Sequence, residues 1–169
     1  MASTTFSCRG SIIGRSGGGD EVYVAAVPLR AMKGPGQLLM SAVYSLNFRD
    51  LKHFVVIIKP SATNQALVYD FQPEDPENIL VALAALSGSK VPGVIQVRNI
   101  GKPPKRKCWF VGFSRVDAID GALVFNERWE TELKIGFHDC RDYCQGLVEY
   151  LTGKKVVLEN LRDGLYSEK

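Results

Sequence analysis

The sequence predicts an α+β protein in which an antiparallel sheet packs against helices. Two apolar, β-branched runs, residues 51–58 and 66–71, are joined only by the short turn 60–64, so they pair antiparallel. Three later stretches carry apolar residues at helical spacing and have caps at their ends. Further short strand candidates, 93–100 and 108–113, lie between those helices.

In chain order, residues 21–30 form a strand that ends at or just after Pro28. Gly34, Pro35 and Gly36 make a turn. Leu38, Leu39, Ala42, Val43 and Leu46 then place a helix over 37–46. The run 51–58 is the strongest strand signal and suits a central position in the sheet, with His53 at its entrance. Asp70 interrupts the next strand, so it needs a partner or lies at a functional face. Asp75 as N-cap and Pro76 at the first position start a helix that runs to about Gly88. That helix is apolar nearly all round, which predicts deep burial. Residues 101–107 read as a basic hairpin loop between two strands. Ser114 caps the following helix with Asp117 as its box partner, and Ala118, Ala122, Phe125 and Trp129 form its buried stripe. Residues 131–135 lead on to the last capped helix, and Leu158, Leu161 and Leu165 suggest a short amphipathic helix in the tail.

That last capped helix organises the chain. Asp139 is its N-cap and Asp142 completes a capping box. Tyr143, Cys144, Leu147, Val148 and Leu151 share a buried face with Cys140, and Gly153 ends the helix in a left-handed conformation. Cys140 therefore stands on the first turn, where the dipole and free N–H groups favour thiolate over thiol. A thiolate is what a cysteine nucleophile requires. Cys140 and Cys144 also read simply as two small core residues, and with His138 they make a third, metal-binding pattern that lacks a fourth ligand.

Composition sets the limits. A chain of 169 residues, 46% hydrophobic and 23% charged, fits one soluble globular domain over 20–169 behind a flexible terminus, 1–19. A net charge of +3 is too small to argue for nucleic acid by itself, and nucleic acid is not expected as the partner. The four cysteines are too sparse for a secreted disulfide scaffold, which points to a reducing, cytoplasmic setting. The Ser-, Thr- and Gly-rich start, with Arg9 and Arg15 and no acid before Asp20, resembles an organelle transit peptide and keeps a plastid or other organelle as the alternative. No apolar run approaches the roughly 20 residues of a transmembrane helix. No pattern implies a cofactor or a resident metal.

A nucleophilic cysteine needs a histidine, and the histidine needs a third polar group to orient it. His53 opens one strand and Asp70 lies on its expected neighbour, so adjacent pairing brings them within reach. Packing the Cys140 helix on that sheet completes a Cys140–His53–Asp70 triad.

The order of these elements resembles the circularly permuted papain-like fold of the lecithin–retinol acyltransferase and NlpC-type group. The resemblance covers roughly residues 50–153. It rests on His53 followed by Phe54, Val55, Val56 and Ile57, on Asp70 in the next strand, and on Asp139, Cys140 and Tyr143 at the late helix. The acyltransferases of that group usually carry His where Asp70 stands, and Asn where Asp139 stands. An acid beside Cys140 opposes thiolate formation unless a protonated His53 and the helix dipole compensate. The resemblance implies a thiol hydrolase or acyltransferase. Cys140 is then its nucleophile, His53 its base and Asp70 the residue that orients His53, and the substrate is an acyl compound or peptide. The alternative is an inactive papain-like scaffold that binds a protein partner or an anionic surface through Lys102, Lys105, Arg106 and Lys107.

Overall fold

The computed structural model describes residues 19–28, 52–155 and 158. The turn at 34–36, the helix expected over 37–46, the terminus 1–18 and the tail beyond Leu158 lie outside these residues.

The described elements are β1 (Glu21–Pro28), β2 (Lys52–Lys59), β3 (Ala66–Pro73), α1 (Ile79–Leu86), β4 (Val91–Ile100), β5 (Cys108–Phe113), α2 (Ala118–Arg128), β6 (Glu132–Leu133) and α3 (Cys140–Thr152). The strands form one sheet in the order β5-β1-β2-β3-β4-β6, and adjacent strands run antiparallel. The architecture is α+β, as the sequence predicts. Its β-branched run, β2, sits between β1 and β3 with apolar residues buried on both faces.

Alternation along the strands divides those residues between two cores. Val22, Val24, Val56, Ile58, Tyr69 and Phe71 meet Tyr143, Cys144, Leu147, Val148 and Leu151 of α3. Each large aliphatic or aromatic side chain buried there contributes about 1.5–3 kcal/mol relative to exposure. Tyr23, Ala25, Val55, Ile57, Val68 and Cys108 form the second core. Ile100 of β4 and Phe110 of β5 also pack against it, although their strands lie four places apart. The sheet therefore curves around this core. Buried Asp20 joins strand to helix layer, its carboxylate accepting the N–H groups of Ser61 at 2.9 Å and Ala118 at 3.1 Å.

Three local expectations are corrected. The first concerns α1. Its N-cap is Asn78, whose side chain accepts the Leu80 N–H at 3.0 Å, and residues 75–77 precede the helix as a turn. Only Ala85 of α1 is fully buried, and Leu80 is 72% exposed. An eight-residue helix at the edge of the molecule has one face to bury, however apolar the others are. Second, α2 is capped by Asp117, which accepts the N–H groups of Ile119 and Asp120, while the Ser114 hydroxyl donates to the Leu151 carbonyl. The stripe itself stands: Ala118 and Ala122 are buried, and Phe125 and Trp129 pack against the core. Third, residues 101–107 do not close a hairpin, because β4 and β5 are not neighbours. The segment crosses four strand spacings, about 19 Å, against roughly 25 Å for seven extended residues. The Lys107 carbonyl accepts the Ala26 N–H at 2.9 Å and fastens the far end of the crossing to β1.

Candidate active site

Cys140 is the first residue of α3, and the turn that presents it is tightly built. The Asp139 carboxylate accepts the N–H groups of Gly136 at 2.7 Å and Arg141 at 2.8 Å. It also pairs with the Arg141 guanidinium through Nε at 3.2 Å and Nη2 at 2.8 Å. Asp142 returns the capping box by accepting the Asp139 N–H at 2.9 Å. Burial opposes charge on Asp139. The Arg141 side chain and the two N–H groups outweigh it and hold the carboxyl below the usual carboxylate range. The acid beside Cys140 is thus neutralised at its own turn, and the Arg141 charge also interacts with Cys140. At the other end Gly153 takes φ of 71° and its N–H caps the Glu149 carbonyl at 2.7 Å.

His53 is the second residue of β2 and pairs with Val27 of β1. Its Nε2 lies 2.5 Å from Asp70 Oδ1. An ionised carboxylate only accepts, so this nitrogen carries the hydrogen and donates it. The Cys140 thiol also acts on the ring and, with Asp70, favours its charged form. The pair is shielded: the His53 side chain is 13% exposed and that of Asp70 4%. Burial alone disfavours a charged ring. The hydrogen bond to Asp70, with the influence of Cys140 and the charge of Asp70, outweighs it and pushes the His53 pKa up to about 10.

His53 and Asp70 are thus joined by a hydrogen bond between neighbouring strands, and Cys140, which opens a helix, acts on His53. Of the described cysteines, Cys108 and Cys144 are buried and Cys140 is partly exposed. Burial pushes the Cys108 thiol up to about 11 and the Cys144 thiol well above its ordinary range, so both are held neutral. His138 is engaged elsewhere. Its ring stacks on Trp129 at 4.4 Å between centroids, meets Phe71 edge-on, and its Nε2 donates to the Glu130 carbonyl at 2.8 Å. It anchors the approach to α3. Among the described residues no group of three or more His, Cys, Asp or Glu side chains is placed to hold a metal ion.

Searches with the chain match no protein-family model, no curated protein and no solved structure.

The site also holds residues that sequence reasoning missed. Arg98 of β4 donates from Nη2 to Asp70 Oδ2 at 3.3 Å. The β3–β4 register pairs Asp70 with Gln96 and Val68 with Arg98, which makes Arg98 a diagonal neighbour of the acid. Nothing local to residues 91–100 reveals that pairing. Arg141 had a signal, a cation two places after an N-cap acid. Lys102, Lys105, Arg106 and Lys107 are exposed on the crossing loop and, among the described residues, are not partners of His53, Asp70 or Cys140. Among the described residues no helix is long and apolar enough to cross a membrane.

Proposed function

We propose that this protein is a thiol hydrolase or acyltransferase of permuted papain-like design, with Cys140 as nucleophile, His53 as acid–base and Asp70 as the residue that orients His53. The observation that carries the proposal is the His53 imidazole, hydrogen-bonded to a buried carboxylate and acted on by the thiol that opens a helix. His53 takes the proton of Cys140. The thiolate attacks the carbonyl carbon of an amide, ester or thioester, and the carbonyl electron pair moves to oxygen. The Cys140 N–H stabilises that oxyanion; the Arg141 N–H is already committed to Asp139. Collapse breaks the bond to the leaving group, which takes the His53 proton and leaves an acyl thioester on Cys140. His53, now neutral, accepts a proton from water or an amine as it attacks the thioester. Release of the acyl product leaves the thiolate, which takes back the His53 proton.

Alkylation by iodoacetamide tests this reading. A free thiol with its ordinary pKa is only about 0.3% ionised at pH 6. Cys140 is expected to react there about ten-fold faster than free cysteine, with the label mapped by mass spectrometry and lost in Cys140→Ala. His53→Ala is expected to bring the rate back to the free-thiol value. Equal rates for Cys140 in the native protein and in His53→Ala sink the proposal.

The alternative, an inactive scaffold, is favoured by the four exposed cations of the crossing loop. A protein partner bound there would present acidic groups.

A further inference from the structure

We propose that Arg98 is a positioning residue of this site, holding the Asp70 carboxylate in the orientation that the His53–Cys140 pair needs. This rests on the thiol reading above and adds a fourth member to it. Asp70 is nearly excluded from water, and each of its oxygens has one side-chain partner: Oδ1 takes His53 Nε2 at 2.5 Å and Oδ2 takes Arg98 Nη2 at 3.3 Å. A carboxylate held by one oxygen only can swing about its Cα–Cβ and Cβ–Cγ bonds. Held by both, it offers His53 a single direction.

The strand order makes this possible. β6 pairs with β4 only at Val91 and Pro92, so the outer side of β4 is open further along at Arg98. The guanidinium, 53% exposed, reaches inward from that edge to an acid 4% exposed. An ordinary surface ion pair contributes about 0–1 kcal/mol. Here one partner is buried, where the charge is screened far less. The charges also balance. His53 and Cys140 exchange one proton between them and together add no net charge, so Arg98 answers the charge of Asp70. Without Arg98, the cluster keeps one uncompensated negative charge, which tightens the hold on the His53 proton and makes it a poorer acid. Among the described residues the other titratable groups that feel Asp70 are Tyr143 and Cys144 on α3, both held neutral by burial.

The test uses the full chain with Arg98→Lys, Arg98→Gln and Arg98→Met. Imidazole ¹⁵N NMR follows the His53 titration from pH 7 to 11, and iodoacetamide follows Cys140. Arg98→Gln and Arg98→Met remove the positive charge and are expected to raise the His53 midpoint by about half a pH unit or more. Arg98→Lys keeps the charge and is expected to hold the midpoint near that of the native chain. Arg98→Met, which also loses the hydrogen bond, is expected to alter Cys140 alkylation about three-fold or more, whereas Arg98→Gln changes it less. If Arg98→Met does not fold, the Lys and Gln variants carry the comparison. An unmoved His53 titration in folded Arg98→Gln overturns the proposal. Failure of the thiol reading looks different: native Cys140 then alkylates like a free thiol, while the His53 midpoint still answers to the charge at position 98.

Discussion

His53 shows how far burial and two neighbours shift one residue. Its ordinary pKa is near 6.5, and burial alone would lower it, yet Asp70 and Cys140 raise it to about 10. A group whose folded value lies above its unfolded value binds more proton in the native state. Its contribution to stability is complete below pH 6.5 and is lost as pH rises from 6.5 through 10. Urea unfolding of the native chain is therefore expected to show stability falling by a few kcal/mol across that window. Asp70→Asn, which removes the largest favourable partner, is expected to flatten this slope and to lower stability at pH 6.5 by about 3 kcal/mol, as removal of one partner from a buried ion pair does. An unchanged slope in Asp70→Asn counts against the Asp70–His53 contact. At this scale the sequence was informative. The Asp139–Asp142 capping box and the approach of His53 to Asp70 were readable, because a cap and a buried carboxylate each demand particular partners. Arg98 was not readable, because an arginine in a strand looks like any solvated cation until the register is known.

At the scale of elements, periodicity predicts well where one face is buried and poorly where hydrophobicity is uniform. α3 alternates apolar and polar residues at helical spacing, and its caps and buried face fall where that pattern puts them. β2, a solid β-branched run, is buried on both faces as such runs are. α1 misleads because its residues are apolar on every side, so the pattern carries no direction. Leu80, Leu83 and Leu86 stand exposed. Leu80→Glu is accordingly expected to change stability by no more than about 0.5 kcal/mol in a thermal melt. A loss of about 2 kcal/mol or more, as for a buried leucine, would show that Leu80 is covered in the whole protein.

At the scale of the molecule, the sheet order sets what meets what. Placing β5 beside β1 turns a short basic loop into a strap across the sheet and brings Ile100 and Phe110 to one core. The same order puts Arg98 next to Asp70. Because the loop's cations are not partners of the triad, the triple variant Lys105→Ala, Arg106→Ala, Lys107→Ala is expected to leave Cys140 alkylation within two-fold of native. The complementary measurement is retention on an acidic resin or partner, which the scaffold reading expects to vanish in that variant while Cys140→Ala binds normally. Alkylation that falls together with the loop charges would instead tie the loop to the thiol site.

The sequence alone determined the fold class, the capped cysteine helix, the central strand and the residue types able to make a thiol site. These depend on spacing, caps and branching within a dozen residues, where local physics dominates. Only the tertiary structure decided the strand order, the crossing of the basic loop, the exposure of α1 and the reach of Arg98 to a buried carboxylate. Those depend on pairings between residues far apart in the chain, selected by which arrangement buries the most apolar surface with every buried charge answered, and no short stretch of sequence encodes that choice.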